Sequence, residues 1–336
     1  LGIWHSYRMR LRRQRRILRA MRKSRELRVV QDHTNNIQPN DVLLVCTLRN
    51  EQIRLPYFLD YYRNQGVGHF LIIDNGSTDG CEAYLSGMGD VSLWHSDASY
   101  KRATFGVDWM NHLKRKYAHG HWVLVVDPDE FFVYPFSDTR PLQALTDWLD
   151  SSEIPSFSAM LLDVYPKGKI GDTPYQAGQN PLEIAHWFDS GNYIVRKNPT
   201  YGNLWIQGGV RMRKFFAAQP KKAPALNKTP LVKWDRRYAY VSSTHTLLPR
   251  GLNQVYDEAG GEKASGILLH TKFLDTLSAK ASEEIQRGQH YASSAEYRAY
   301  AAQLEDQPEL WCKWSERYIN WRQLEILGLM SKGNWA

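Results

Sequence analysis

Three carboxylates stand together at Asp127, Asp129 and Glu130, directly after the apolar run Trp122 to Val126 in HWVLVVDPDEFF. The run is too short and too β-branched for a helix, so it reads as a buried strand that ends in acid. Pro128 supports that end, because a residue without an N–H cannot continue a central ladder. In extended chain Asp127 and Asp129 fall on one side. Two carboxylates held together repel until one protonates or a cation arrives, and hard divalent cations take carboxylate oxygens as ligands. The pattern points to Mg²⁺ or Mn²⁺ with a phosphorylated substrate; the plain alternative is a surface turn with solvated acids. GILLHTKF repeats the logic, an apolar strand ending in His270 with Lys272 two residues on. Imidazole suits a metal and ammonium suits pyrophosphate. His245 competes with His270, and for either the alternative is a buried, hydrogen-bonded structural histidine.

The elements that would hold these groups alternate. DVLLVCTL, HFLIID, VSLWHS and HWVLVVD read as strands, and LPYFLDYYRNQG (stopped by Gly66), TDGCEAYLSG and RATFGVDWMNHLKRKYAHG as helices. Alternating β and α units with short connections imply an α/β fold with a mainly parallel sheet, whose ligands bind beyond the carboxyl ends of the strands. Polar clusters lie at three such ends: Thr47 to Glu51, Asp74 to Gly80, and the acidic triplet.

VCTLRNE, LPYFLDYYRNQGVGHFLIIDNGSTDG and VLVVDPDEFF together resemble the nucleotide-binding half of family-2-type glycosyltransferases of the Rossmann-like GT-A fold, over about residues 41–135. The resemblance implies a nucleotide-diphosphate sugar donor, most simply UDP-linked, with Mn²⁺ or Mg²⁺. It implies that Thr47, Arg49, Asn50 and Glu51 border base and phosphates, and that Asp74 and Asn75 meet the base. Asp79 either touches ligand or caps a helix. Arg102 is placed by the base, with a solvated helix start as its alternative. Asp127 would face ribose and metal, Asp129 would be the direct metal ligand, His270 the third ligand, and Lys272 a diphosphate contact.

After Pro135 the alternation fails, and the resemblance implies a β-rich acceptor half over residues 136–273. SAMLLDVY, NYIVR and YAYVSS read as strands and PLQALTDWL as a helix. In IQGGVRMRKFF, Gly208 and Gly209 would let backbone approach sugar while Arg211 and Arg213, alternating on one face, meet phosphate; a β-turn with two solvated arginines is the alternative. An inverting reaction needs a carboxylate base. The acidic pair usual in such enzymes is missing after Gly209, which leaves Asp163 and Asp189 as candidates. His245 is also an acceptor-side candidate. Residues 274–336 read as helical: LDTLSAKASEEIQRGQHY, SAEYRAYAAQLED, and PELWCKWSERYINWRQLEILGL with Trp311, Trp314, Tyr318 and Trp321 at helical spacing.

The net charge of +8 is local. Residues 1–30 hold ten Arg and Lys23 against Glu26, a net of +10; the remaining 32 basic and 34 acidic residues give −2. Within this tail, taken as residues 1–35, Trp4, Tyr7, Leu11, Leu18 and Met21 recur at helical steps. A basic amphipathic helix follows, with anionic lipid, a partner's groove or nucleic acid as its contact; no nucleic-acid fold follows it, so nucleic acid is not expected. No apolar run approaches the ~18–20 residues of a spanning helix, so the chain reads as soluble or peripheral on the inner face of a membrane. It begins on Leu1 rather than Met, which leaves room for a preceding segment, even an anchor. Cys46, Cys81 and Cys312 are scattered, which favours a reducing compartment. So does the glycosylation pattern at Asn75, where a glycan would block the pocket. The function implied is sugar transfer to a saccharide or glycolipid acceptor in cell-surface polysaccharide or glycolipid assembly. A sugar nucleotidyltransferase, whose Gly-rich opening is missing here, and an inactive membrane-recruited binding module are the alternatives.

Overall fold

All seven residues of Val42–Leu48 are buried, as a strand covered on both faces requires. Leu44, Cys46 and Leu48 point into one apolar cluster with Phe58, Leu59 and Leu145, while Leu43 and Val45 point into another with Trp109, Leu113 and Trp234. This period of two sets the layers: helices on each side of one sheet. The computed structural model describes residues 2–255, 261–288 and 308–336.

The first half comprises α1 (Ile3–Lys23), β1 (Arg28–Gln31), β2 (Val42–Leu48), α2 (Leu55–Gln65), β3 (Val67–Asp74), α3 (Cys81–Leu85), β4 (Val91–His95), α4 (Val107–Tyr117) and β5 (Trp122–Val125). Strands β4, β3, β2 and β5 are parallel neighbours, with β1 antiparallel at the edge. Gly66 ends α2 in the left-handed region (φ 98°). Helix α4 begins five residues later than its sequence pattern implies. Thr104, Phe105 and Gly106 have φ of 54°, 57° and 75°, and consecutive left-handed residues cannot extend a right-handed helix.

The second half adds β6 (Glu130–Val133), α5 (Leu142–Ser151), β7 (Ser156–Tyr165), β8 (Trp187–Asp189), β9 (Tyr193–Lys197), β10 (Leu204–Gly208), β11 (Asn227–Lys233), β12 (Ala239–Ser242), β13 (Thr246–Leu248), β14 (Ser265–His270), α6 (Leu277–Arg287), β15 (Ser315–Arg317) and α7 (Trp321–Ile326). Strands β11, β7, β14 and β6 extend the same sheet beyond β5, pairing antiparallel except for β7 with β14. The expected α/β class, with parallel strands at the centre of the first half and a β-rich second half, is what the chain forms.

Two expectations are corrected. Arg211 and Arg213 neither alternate on one face of an extended segment nor sit solvated in a β-turn: after β10 the backbone winds into one wide helical turn, Arg211–Phe215. Nor is 308–329 one helix with an aromatic stripe. Residues 315–317 pair with β8, and α7 starts only where the Asn320 side chain accepts from Arg322 N and Gln323 N. Trp314 is consequently 72% exposed, while Trp321 is buried. The helix expected over SAEYRAYAAQLED lies outside the described residues. Among the described residues no helix is long and apolar enough to cross a membrane.

Helix α1 packs across α4, β12 and β13. Met9 is buried with Val241 and Leu248, and Ala20 is buried as well. Arg19 Nε donates to Asp108 at 2.6 Å, Arg16 to Thr104 and Arg12 to Tyr201, and His5 Nε2 is 3.0 Å from Thr200 O. The tail is part of the folded body.

Candidate functional site

The carboxyl ends of the strands border a cavity of about 980 Å³. Its floor follows from strand register. In β14, His270 stands opposite Glu130 of β6 on one side and Asp163 of β7 on the other. His270 Nδ1 lies 2.6 Å from Asp163 Oδ1, and Nε2 lies 3.2 Å from Asp129 Oδ2. Arg211 Nε donates to the other oxygen of Asp163 at 2.6 Å. Charges alternate along this line: Arg211, Asp163, His270, Asp129. The turn itself is pinned by Thr271 N donating to Asp129 O at 2.8 Å.

The electrostatics follow from burial and neighbours. Burial works against charge on Asp129, but His270, Arg54 and Lys272 outweigh it and hold that carboxyl well below its usual range. Burial likewise opposes a charged His270, and Asp129 and Asp163 outweigh it, raising the imidazole. For Asp163, burial is overcome by Arg211 and His270, which lower it. Glu130 differs: burial dominates and pushes it up to about 7, although Lys228 ion-pairs with it.

These donors suit a hard divalent cation. Asp129, Glu130 and His270 each offer a ligand atom, all within 4.8 Å of one another. The carboxylate on the far nitrogen of His270 fixes ring and tautomer, as ligand histidines require. Of the three expected ligands, Asp129 and His270 meet. Asp127 stands outside that group, 53% exposed at its side chain and 3.6 Å from Lys228 Nζ, and Glu130 occupies the inner position.

Thr47, Arg49, Glu51, Asn75, Asp127, Lys272, Arg211 and His245 also line the cavity. Thr47 Oγ1 is buried with no hydrogen-bond partner among the described residues. Arg49 is tied to the carbonyls of Asn75 and Gly76 and to Glu283. Asn75 donates to Ser96 O and Ala98 O, so its amide is committed inside the fold and has no room for a glycan. Asn50 accepts from Thr78 N and donates to Glu283. Asp74 is fully buried: one oxygen accepts from Ser77, and the other lies 4.0 Å from His95 Nδ1. Asp79 accepts from Cys81 N and Gln52 N, a turn just ahead of α3 whose N-cap position is Gly80, so it neither caps that helix nor lines the cavity. Arg102 is exposed, and its carbonyl receives Arg19.

On the acceptor side the glycines serve the backbone. A Cβ on Gly208 would lie 2.1 Å from Asn192 O, and one on Gly209 3.0 Å from the Tyr193 ring, so they allow β10 to meet β9 rather than a sugar. Arg211 and Arg213 face inward. Arg213 grips both oxygens of Asp189 at 2.8 and 2.9 Å, and Tyr165 donates to the same carboxylate. Asp163 and Asp189, the base candidates, are therefore both paired with arginine and buried. His245 is held at Asn227 O (2.6 Å), and burial lowers its imidazole to about 4, so it is neutral.

Sequence reasoning missed the cations. Lys228 of β11 neutralises the acidic turn from 98 residues away. Lys280 of α6 pairs with Glu51, and Glu283 and Arg287 of the same helix meet Arg49 and Asn75. LNKTPLVKW, a strand with Lys228 near its start and Lys233 at its end, was the available signal for Lys228.

No family model matches the chain, and no curated protein matches it. Among solved structures it is similar to a 4-diphosphocytidyl-2C-methyl-D-erythritol synthase (13% identity, TM-score 0.26, 44% of this chain and 68% of that one). It is also similar to a Bacillus anthracis protein described as a glucose-1-phosphate thymidylyltransferase, in complex with sucrose (10%, 0.28, 86% and 95%). A third is the bifunctional glycosyltransferase WbbM (11%, 0.25, 88% and 38%).

Proposed function

We propose that the chain transfers a glycosyl group from a nucleotide-diphosphate sugar, UDP-linked in the simplest case, to a saccharide or glycolipid acceptor at the cytoplasmic face of a membrane. The observation that carries this is the buried line Arg211–Asp163–His270–Asp129 at the floor of a cavity bordered by the strand-end loops. Asp129 and His270, with Glu130 beside them, would hold Mn²⁺ or Mg²⁺, which supplies neutralising charge to the leaving diphosphate. Asp163 is a positioning residue: it orients His270 and is itself held by Arg211. Lys272, two residues beyond His270 and lining the cavity, supplies a second cation for the diphosphate. Thr47, which lines the cavity at the end of β2, would border the nucleotide. Glu130 and Lys228 set the charge of the turn. Asp127, half-exposed on the same cavity and beside Lys228, is the most accessible carboxylate of the turn for a ligand.

The test is nucleotide release from a panel of nucleotide sugars with acceptor, with and without chelator. UDP release that stops on chelation is expected. Pyrophosphate release from a nucleoside triphosphate and a sugar 1-phosphate, supplied in a parallel reaction, would replace this proposal with nucleotidyl transfer, and ligand-dependent stabilisation without turnover would replace it with a binding module.

A further inference from the structure

Helix α1 has two faces, and the chain buries the one its composition does not suggest. Met9, Ala20, Arg12, Arg16 and Arg19 turn to the body, whereas Trp4 (79% exposed), Tyr7 (53%) and Leu18 (54%) face outward. At 100° per residue Trp4, Tyr7, Leu11 and Leu18 fall within about 60° of one another, opposite Met9 and Ala20. Arg8 and Arg15 on one side and Arg10 on the other, all exposed, flank that stripe, and the exposed Arg22 continues its line beyond Leu18. We infer that this outward face is a docking surface for an anionic lipid bilayer. Aromatic and aliphatic side chains along the centre with arginine on both flanks match the depth profile of an interface, apolar inward and cationic at the headgroups. Charge complementarity selects the occupant: residues 1–30 carry +10 on a chain whose remainder carries −2.

The helix is also tied to both walls of the cavity. Its C-terminal half holds Thr104 and Asp108, beside Phe105, which lines one wall; its N-terminal half holds Thr200 and Tyr201, at the tip of the β9–β10 hairpin whose Trp205 lines the other. A bilayer that seats α1 therefore fixes where the cavity stands above it. That step rests on the sugar-transfer proposal and makes the acceptor a membrane-borne saccharide.

Point variants are needed, because removing α1 would strip Arg19 from the buried Asp108. The full chain is cosedimented with vesicles of phosphatidylcholine, with and without phosphatidylglycerol, at low and high salt and without nucleotide. Binding only to anionic vesicles, reduced at high salt, is expected. Trp4→Ser with Leu18→Ser should weaken it at least tenfold at an unchanged melting temperature, and Trp314→Ser, an exposed tryptophan elsewhere, should leave it unchanged. Transfer to an acceptor embedded in the vesicles should fall with the double variant while transfer to a soluble acceptor persists. Wild-type binding retained by the double variant, or no wild-type binding, overturns the inference. So does concentration-dependent self-association lost in the double variant, which would make the occupant a second copy. Vesicle binding is read without turnover, so it can stand or fall independently of the catalytic proposal.

Discussion

The two walls of the cavity are built by different rules. On the side built by the first half, Thr47 stands at the end of β2, Glu51 follows the same strand and Asn75 follows β3, and the chemistry is written in contiguous motifs. On the side built by the second half of the chain the contacts span 48 residues for Arg211 and Asp163, 107 for His270 and Asp163, and 98 for Lys228 and Glu130. The first wall carries its polar groups at strand ends; the second sets the charge around the acidic turn. A motif names its acids because they are adjacent, but the cations that make those acids tolerable arrive by sheet register.

The sharpest way to break this contrast is at its meeting point. Asp129→Asn replaces an anionic oxygen by a neutral one and should lower divalent-dependent turnover by about 100-fold or more with the fold retained, read by UDP release across a Mn²⁺ titration. Near-normal turnover at low Mn²⁺ would remove the acidic turn from the chemistry. Lys228→Met tests the distant wall. It leaves Glu130 buried without its ion pair, which costs about 3–5 kcal/mol and should lower the melting temperature; Lys228→Met with Glu130→Gln should recover most of it.

His245 gives a pH test. Its folded value of about 4 lies below its ordinary 6.5, so between those values the unfolded chain binds a proton that the folded chain refuses. Stability is therefore full above pH 6.5 and falls as pH drops toward 4, by on the order of 3 kcal/mol at most. His245→Gln should flatten the melting-temperature difference between pH 7 and pH 5. An unaltered difference would mean that His245 titrates normally. Asp163→Asn should weaken divalent binding by about 10–100-fold, as loss of a carboxylate behind a ligand histidine does. A change confined to melting temperature would reduce Asp163 to packing. The smallest effect belongs to Arg102→Ala, within about 0.5 kcal/mol in stability, because the exposed side chain leaves behind the backbone carbonyl that Arg19 uses.

What could be read beforehand follows the same division. The strands around Cys46 and Ile72 were legible because a strand covered on both faces is a continuous apolar run, and Gly66 because only the left-handed region ends α2 so sharply. The strand ending at His270 was legible for the same reason. Asp163 and Asp189 looked like bases because a sequence shows a carboxylate without its arginine. Arg211 and Arg213 looked like ligand contacts for the converse reason. Trp311 to Trp321 fit a helical period, but Ser315–Arg317 found an open strand at β8, and long-range pairing overrode local spacing. The tail's apolar seam was visible; that its opposite face would be the one packed was not, since Met9 and Ala20 are short of a stripe.

Helix α1 also bears on where this molecule divides. Charge would cut the chain near residue 30, but cooperativity would not. Met9 fills a cluster with Val241 and Leu248, and Arg19 neutralises a fully buried Asp108, so the basic segment shares its free energy with strands more than two hundred residues away. Heating should melt it together with the sheet in one transition rather than ahead of it. A protease that nicks between α1 and β1 would then leave the two pieces associated until that transition is reached.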